Sequence, residues 1–530
     1  MNSTPIIWSV AGTDSGGGAG LAADLRAADA FGVHACMVVA AITAQHSQAV
    51  QRVDAVSGDL LAAQLDALAN DLPPRVIKTG VLGSAANVRL LARHIDQQHQ
   101  RGPLALVVDP VLRASSGDAL ADRELLAALR DELLPRANMV TPNRAEAALL
   151  LGWTGVEHAA LPDAARALQA LGAQSVCITG GDEAGRSAMD WLQSPDAEGW
   201  LSLPRVATRH THGTGCSFAS ALAAALALGF VSADAAVLAK MAVAHALHED
   251  AARPCPGTGP GPVRLRSGFG QVPALLPWLS DEIDPPAPPP MRGTDLHGLY
   301  AIVDSAERVD AALAAGVRTL QLRIKTAGGP PTEALRTAVA RAVTACQRAG
   351  AQLFINDHWA LALELGATGV HLGQEDLLAL NAAERAQLRA AQQRGLALGL
   401  SSHSLWELCR AAAWQPAYIA CGPVWPTDTK RMPWRPQGLH NLAWWCAMAP
   451  APVVAIGGIL DPARAAEAAR CGAAAVCILR GLGEQPAQTL PAFVNAITRA
   501  RREAPLPCPP LPRPSLAPAA GDGRFNGRCC

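Results

Sequence analysis

His210-Thr-His-Gly-Thr-Gly-Cys-Ser217 is the segment best suited to chemistry in this chain. Gly213 and Gly215 let the backbone turn so that successive N–H groups point one way. An Ala/Leu-rich stretch at 217–229 reads as a helix whose N-terminus adds partial positive charge. Together they predict an anion hole for a transferring phosphoryl group. Cys216 lies inside it, where a lowered pKa would make a thiolate base. A second constellation lies downstream. Gln321-Leu-Arg-Ile-Lys325 alternates as a strand does, placing Gln321, Arg323 and Lys325 on one face. Such a face is costly to bury unless an anion meets it. Asp357 closes the next apolar run and Asp376 follows the one after. Two carboxylates facing Arg and Lys suit a Mg²⁺ bridging to a diphosphate. Pro426-Thr-Asp-Thr-Lys430 adds hydroxyls and an ammonium in a loop. The chain has 44 Lys+Arg but its lysines are only Lys78, Lys240, Lys325 and Lys430. A lysine retained amid arginines marks places where a compact point charge serves, such as a phosphate.

Elements must hold these groups. In residues 1–270 the apolar runs IIWSVAG, CMVVAAIT, VIKTGVL, LALVVDPV, MVTPN and SVCITGG alternate with helical stretches, the rhythm of a mainly parallel α/β sheet with ligands at strand C-termini. In residues 296–500 eight runs (LYAIVD, TLQLRIK, QLFIND, GVHLG, ALGLSSH, YIACGPV, VVAIGGI, AAVCILR) predict a (β/α)8 TIM barrel with polar groups at its C-terminal rim. Five prolines at 283–290 place a stiff linker at 271–295. The Pro-rich stretch 501–530 reads as a disordered tail.

The first segment resembles the ribokinase-like hydroxymethylpyrimidine/phosphomethylpyrimidine kinases over 1–265. AGTDSGGGAG-LAADL, TAQH, KTGVL, VDPV, TPNRAEA, TGG and HTHGTGC carry the likeness. The resemblance implies an αβα sandwich that uses ATP and Mg²⁺. It implies Cys216 as base, with Gly213 and Gly215 in the anion hole. Gln45 and Asp24 would lie at the aminopyrimidine. Asp109, Asn143 and Glu146 would organise the ion and the ATP phosphates, with Lys240 near the nucleotide. Lys78 reads as structural. Where this family carries a lysine before two glycines, the chain has Thr179, which implies a weaker hold on ATP.

The second segment resembles thiamine phosphate synthase over 297–485, through QLRIK, FINDHW, GVHLGQEDL, LSSHS, GPVWPTDTKRMP, PQGL and VAIGGI. That likeness implies that Gln321, Arg323, Lys325, Asn356 and Lys430 hold an aminopyrimidine diphosphate. Asp357 and Asp376 would ligate Mg²⁺, and Ser401, Thr427, Thr429 and Gly458 would touch the substrates. Cys477-Ile478 stands where a Val-Ser pair for thiazole phosphate is expected, which implies weaker affinity there. His358, His371 and His403 read as structural. The tandem implies phosphorylation of hydroxymethylpyrimidine and its phosphate, then condensation with thiazole phosphate. A pyridoxine-type kinase or a non-catalytic pyrimidine-binding domain in the first half stays open at this level.

A net charge of -1 gives no basic field for nucleic acid. No apolar run is long enough to span a membrane. Neither a signal peptide nor a cysteine framework is evident: the 13 cysteines are scattered, without C-x-x-C, and read as reduced thiols of a cytoplasmic protein. Small-molecule substrates are the expected partners, and self-association into a homo-oligomer is left open.

Overall fold

The computed structural model describes residues 4–113, 120–181, 185–283, 296, 298–326, 331–427 and 433–516. The chain divides into two compact units between Pro285 and Pro286.

The first unit is built on a ten-stranded sheet. Its strands are β1 (Ile6–Gly12), β2 (His34–His46), β3 (Ala49–Ala55), β4 (Val76–Thr79), β5 (Ala105–Val108), β6 (Met139–Val140), β7 (Val176–Ile178), β8 (Ser187–Gln193) and β9 (Glu198–Pro204). A separate two-stranded sheet joins β10 (His210–His212) to β11 (Gly261–Pro262), and β12 (Trp278–Ser280) returns to the main sheet. The order is β12-β9-β8-β7-β6-β5-β4-β1-β2-β3. From β7 to β2 neighbours run parallel; β8, β9, β12 and β3 add antiparallel margins. Central β1 is almost wholly apolar and buried, as a strand covered on both faces must be. The antiparallel margins were not legible as strands, because SAMDWLQ and EGWLSLP mix polar residues and glycine into their apolar pattern.

The helix after β10 spans Thr214–Ala227, three residues earlier than the Ala/Leu run suggests. Its small residues let it lie close on β1, β4 and β5, with ten of its 14 residues buried. The strands feed the site at their C-terminal ends, as open parallel sheets do.

The second unit is a closed parallel barrel: β13 (Gly298–Val303), β14 (Thr319–Leu322), β15 (Gln352–Asn356), β16 (Gly369–Leu372), β17 (Ala397–Ser402), β18 (Tyr418–Cys421), β19 (Val453–Ala455) and β20 (Ala475–Ile478). Tyr300, Phe354, Tyr418, Val454 and Cys477 are among the residues filling its interior.

Two stretches differ from the sequence expectation. Residues 271–283, expected as linker, include β12, whose Leu279 pairs Leu201 of β9. Residues 504–516, expected as disordered tail, lie along the barrel. Leu506 N–H bonds the Arg470 carbonyl, Asn441 donates to the Arg513 carbonyl at 3.0 Å, and Ser515 is buried. A proline-rich strand has few N–H groups to satisfy, so it can lie on a surface whose side chains supply the donors. Residues 517–530 lie outside the described residues.

Candidate functional site

In the first unit two glycine loops are pressed together. Gly213 has φ +81°, and a Cβ there would stand 2.2 Å from the Gly18 carbonyl oxygen. A Cβ on Gly18 would meet His212 Cδ2 at 2.2 Å. Only residues without a side chain permit this approach. Asp14 ties the loops. Its carboxylate accepts from the N–H groups of Gly16, Gly18 and Ala19 at 2.8–2.9 Å and meets His212 Nε2 at 2.9 Å. Burial pushes its pKa up, but the His212 contact and the Ala19 and Gly16 N–H groups prevail and hold it at about 2. Gln45 Nε2 lies 3.4 Å from the same His212 nitrogen, so the expected pyrimidine contact stands beside this knot. Asp14 and His212 were missed as site residues, though both lie inside the quoted motifs.

Gly213 caps the helix, and Gly215 and Cys216 fall in its first turn. Nothing stands within 4 Å of a Cβ built on Gly215, which leaves room above the turn for a phosphoryl group. Beneath Cys216 lies a buried charge cluster. Lys78 Nζ is 3.0 Å from Asp24 Oδ1 and 3.5 Å from Asp109 Oδ2. Burial would lower the lysine pKa, but Asp24, Cys216 and Asp109 together raise it above its ordinary value. Burial likewise drives Asp109 up to about 6, helped by Asp24 and opposed by Lys78 and the Cys216 thiol that hydrogen-bonds it.

Several expectations need correction here. Cys216 does not carry a lowered pKa: although the residue keeps some exposed surface, burial pushes the thiol up to about 12. Lys78 opposes this, while Asp109 and Asp24 reinforce it. Asp24 is fully buried and accepts from Ser9 (2.5 Å), Ser220 (2.7 Å) and Lys78. It holds the cluster and presents nothing to a pyrimidine. Asp109 faces Lys78 and Cys216, not an exposed nucleotide site. Glu146 spends both oxygens on backbone, accepting from Leu112 N–H at 3.1 Å and Asn143 N–H at 3.0 Å. Asn143 returns the bond to Glu146 N–H, completing a capping box. The pair thus shapes the Asp109–Leu112 turn. Lys240 is buried against Asp190 at 2.7 Å, and Asp190 accepts from Gly180 N–H at 3.1 Å. Lys240 therefore acts on the Thr179–Gly181 turn through Asp190. Thr179 itself is half-buried at the end of β7.

In the barrel the expected residues gather at the C-terminal ends of the strands. Gln321 is buried and donates to Asn356 Oδ1 at 2.9 Å. β14 ends at Leu322, and Arg323 N–H continues the ladder by one bond to the Val303 carbonyl at 2.7 Å. Lys325 is exposed in the loop beyond, so strand alternation orients Gln321 and Arg323 but not Lys325. Asp357 sits just past β15 with φ +65°, rare for a residue with a side chain, and its N–H bonds the His371 carbonyl at the end of the neighbouring strand. Asp376 lies in the first turn of helix Gln374–Ala379, with Oδ2 accepting from Gly373 N–H at 3.1 Å. These two hard-oxygen groups fit the partial cage a Mg²⁺ accepts when phosphate and water complete it. Among the described residues no group of three or more His, Cys, Asp or Glu is arranged to hold a metal by itself.

Gly458 has φ +72°, with its carbonyl held by Arg464 at 2.7 Å. Thr427 accepts from Arg480 Nη2 at 3.2 Å. Thr429 and Lys430 lie outside the described residues. Cys477 and Ile478 need correction: both are buried within β20, Cys477 among the residues that fill the barrel interior. The rim position after β20 is taken by Arg480, which the sequence reading missed by ending the motif two residues early.

No helix of the described residues is long and apolar enough to cross a membrane. Residues 14–264 match the family described as phosphomethylpyrimidine kinase, and residues 299–482 the family described as thiamine monophosphate synthase. Over 476 residues the chain is 34% identical to the probable thiamine biosynthetic bifunctional enzyme, chloroplastic, of Oryza sativa subsp. japonica, covering 86% of this chain and 81% of that one. Its first half is 42% identical to a hydroxymethylpyrimidine/phosphomethylpyrimidine kinase of Synechococcus elongatus, covering 49% of this chain and 96% of that one. Its barrel is 50% identical to a thiamine-phosphate synthase of Neisseria meningitidis, covering 31% of this chain and 78% of that one. A first unit built on a mainly parallel sheet, a closed parallel barrel, and likeness running through both make this chain a member of the family of bifunctional thiamine biosynthetic enzymes.

Proposed function

We propose that the first unit uses ATP to phosphorylate hydroxymethylpyrimidine and then its phosphate, and that the barrel condenses the resulting diphosphate with thiazole phosphate, releasing pyrophosphate and thiamine phosphate. The observation that carries this reading is the likeness to a bifunctional relative across 86% of the chain.

In the kinase unit, N–H groups at the start of helix Thr214–Ala227 stabilise charge on the transferring phosphoryl group. Cys216 takes the substrate hydroxyl proton while passing its own to Asp109. At neutral pH a carboxylate with a pKa of about 6 is ionised and free to accept, whereas a thiol with a pKa of about 12 already holds its proton. Gln45 offers an amide to the aminopyrimidine edge. The Lys240–Asp190 pair steadies the Thr179–Gly181 turn on the nucleotide side.

In the barrel, Gln321 and Asn356 orient the pyrimidine. Arg323, Lys325 and Lys430 neutralise the diphosphate as its bond to the methylene carbon breaks. A Mg²⁺ at Asp357 and Asp376 would supply further charge for the leaving pyrophosphate. Ser401 meets the pyrimidine diphosphate, and Thr427, Thr429, Gly458 and Arg480 face the thiazole phosphate. The cysteines among the described residues are free thiols, which suits the cytoplasm.

The test is a coupled assay on the full chain. Hydroxymethylpyrimidine, ATP, Mg²⁺ and thiazole phosphate should yield thiamine phosphate. Absence of product would overturn the reading.

A further inference from the structure

The chain contains two tyrosines, Tyr300 and Tyr418, and both lie fully buried inside the barrel with their hydroxyls 2.7 Å apart. Tyr418 OH lies 2.9 Å from His371 Nδ1, and His371 Nε2 lies 2.9 Å from Ser401 Oγ. The four residues come from β13, β18, β16 and β17 and run as one line of hydrogen bonds from the barrel core to its rim. Room for it comes from Gly399, where a Cβ would stand 2.2 Å from Tyr418 Cζ.

Such a line can run in two directions. If Ser401 donated to His371, the imidazole would donate to Tyr418 and Tyr418 to Tyr300. The Tyr300 proton would then have no acceptor, because Tyr418 is the sole hydrogen-bond partner of this hydroxyl among the described residues. An unmade donor in a dry core is costly. If Tyr300 donates instead, only lone pairs at the buried end go unfilled, a smaller loss. Tyr418 then donates to Nδ1, and the single imidazole proton sits on Nε2 and is given to Ser401 Oγ. Held on both ring nitrogens between Tyr418 and Ser401, a neutral imidazole has one proton to place.

We propose that the Tyr300–Tyr418–His371 line fixes Ser401 as an obligate hydrogen-bond donor into the barrel mouth, aimed at an acceptor atom of the pyrimidine diphosphate. This rests on the barrel function proposed above. The three buried residues are positioning residues: they touch no substrate, and they occupy the Ser401 lone pair so that its O–H must point outward.

The decisive measurement is the tautomer of His371, read by ¹⁵N NMR on the full chain labelled at histidine, without substrate, with the signal identified by its loss in His371→Gln. A proton on Nε2 and a bare Nδ1 at pH 7 are expected. A proton on Nδ1, or on both nitrogens, overturns the proposal. A second arm uses synthase kinetics. Tyr418→Phe should lower kcat/KM for the pyrimidine diphosphate about tenfold in wild type and less than about twofold in a Ser401→Ala background. Equal losses in both backgrounds would show that the line transmits nothing to Ser401. Ser401→Thr, which keeps the donor, should retain the Tyr418 dependence, and its loss there would also overturn the idea. A chain that makes no thiamine phosphate at all would overturn the assigned function and leave the tautomer to decide this proposal.

Discussion

Arg480 donates to Thr427 Oγ1 at 3.2 Å, joining the end of the last barrel strand to the loop that follows β18. An arginine there supplies a charge-assisted donor where the resemblance led us to expect a missing serine hydroxyl. Arg480→Ala should raise the thiazole phosphate KM about tenfold, the loss of a contact worth about 1.4 kcal/mol. The KM for the pyrimidine diphosphate should stay within twofold. Steady-state kinetics with each substrate varied in turn checks this, and equal effects on both would exclude a thiazole-side role.

Asp109 predicts how the kinase answers to pH. It accepts a proton only when ionised, and its pKa is raised to about 6 by burial. The kinase rate should therefore fall as pH drops through about 6 and level off above it. Asp109→Asn should flatten that limb and reduce kcat by about 10²–10³-fold. An acid limb unchanged in Asp109→Asn would assign it to another group.

Lys78 is placed to matter for folding. It is fully buried between Asp24 and Asp109, so Lys78→Met leaves two buried carboxylates without their cation. Breaking such a cluster from one side costs about 3–5 kcal/mol. Urea unfolding monitored on the kinase unit should show that loss at pH 7. The deficit should shrink toward pH 5, where Asp109 takes up a proton. A deficit that does not depend on pH would mean the carboxylates find another partner.

The loop knot makes a prediction of opposite sign. Asp14 is held at about 2 in the folded chain, below its ordinary 3.8. A depressed carboxylate pKa adds stability above the unfolded value that is lost as pH falls toward the folded one. Asp14→Asn should cost roughly 2 kcal/mol at pH 7. That difference should disappear between pH 4 and 2, as measured by paired unfolding curves.

Residues 504–516 are predicted to contribute to the barrel. A chain ended at Glu503 loses the bonds made by Arg470, His440, Asn441 and Arg435 to this stretch. At about 1 kcal/mol each, partly recovered by water, the loss should be about 2–3 kcal/mol. Thermal unfolding of the shortened chain checks this; an unchanged Tm would return the stretch to the status of a loose tail.

Much of this architecture could be read before any coordinates. The eight barrel runs and the central strands of the first unit announce themselves because continuous apolar runs end in polar residues. What could not be read is which side chains are already engaged. Asp24, Glu146 and Lys240 have the right chemistry for ligands, but partners distant in sequence use that chemistry: Ser220, Leu112 and Asp190. The Cys216 pKa failed for a related reason. Its local signals, a helix N-terminus and glycines, all point down, whereas the enclosure that drives it up comes from the folded surroundings. The ordered stretch at 504–516 was hidden because proline content reports what a segment cannot do by itself, not what a neighbouring surface can hold.

Gly399 carries a consequence for how this barrel can change over time. A methyl group at that position and the ring of Tyr418 exclude each other, since 2.2 Å separates the Cβ site from Tyr418 Cζ. The two positions are therefore locked in sequence of replacement. A lineage can trade the glycine for a larger residue only after the tyrosine has gone, and a chain that keeps the ring must keep the gap beside it.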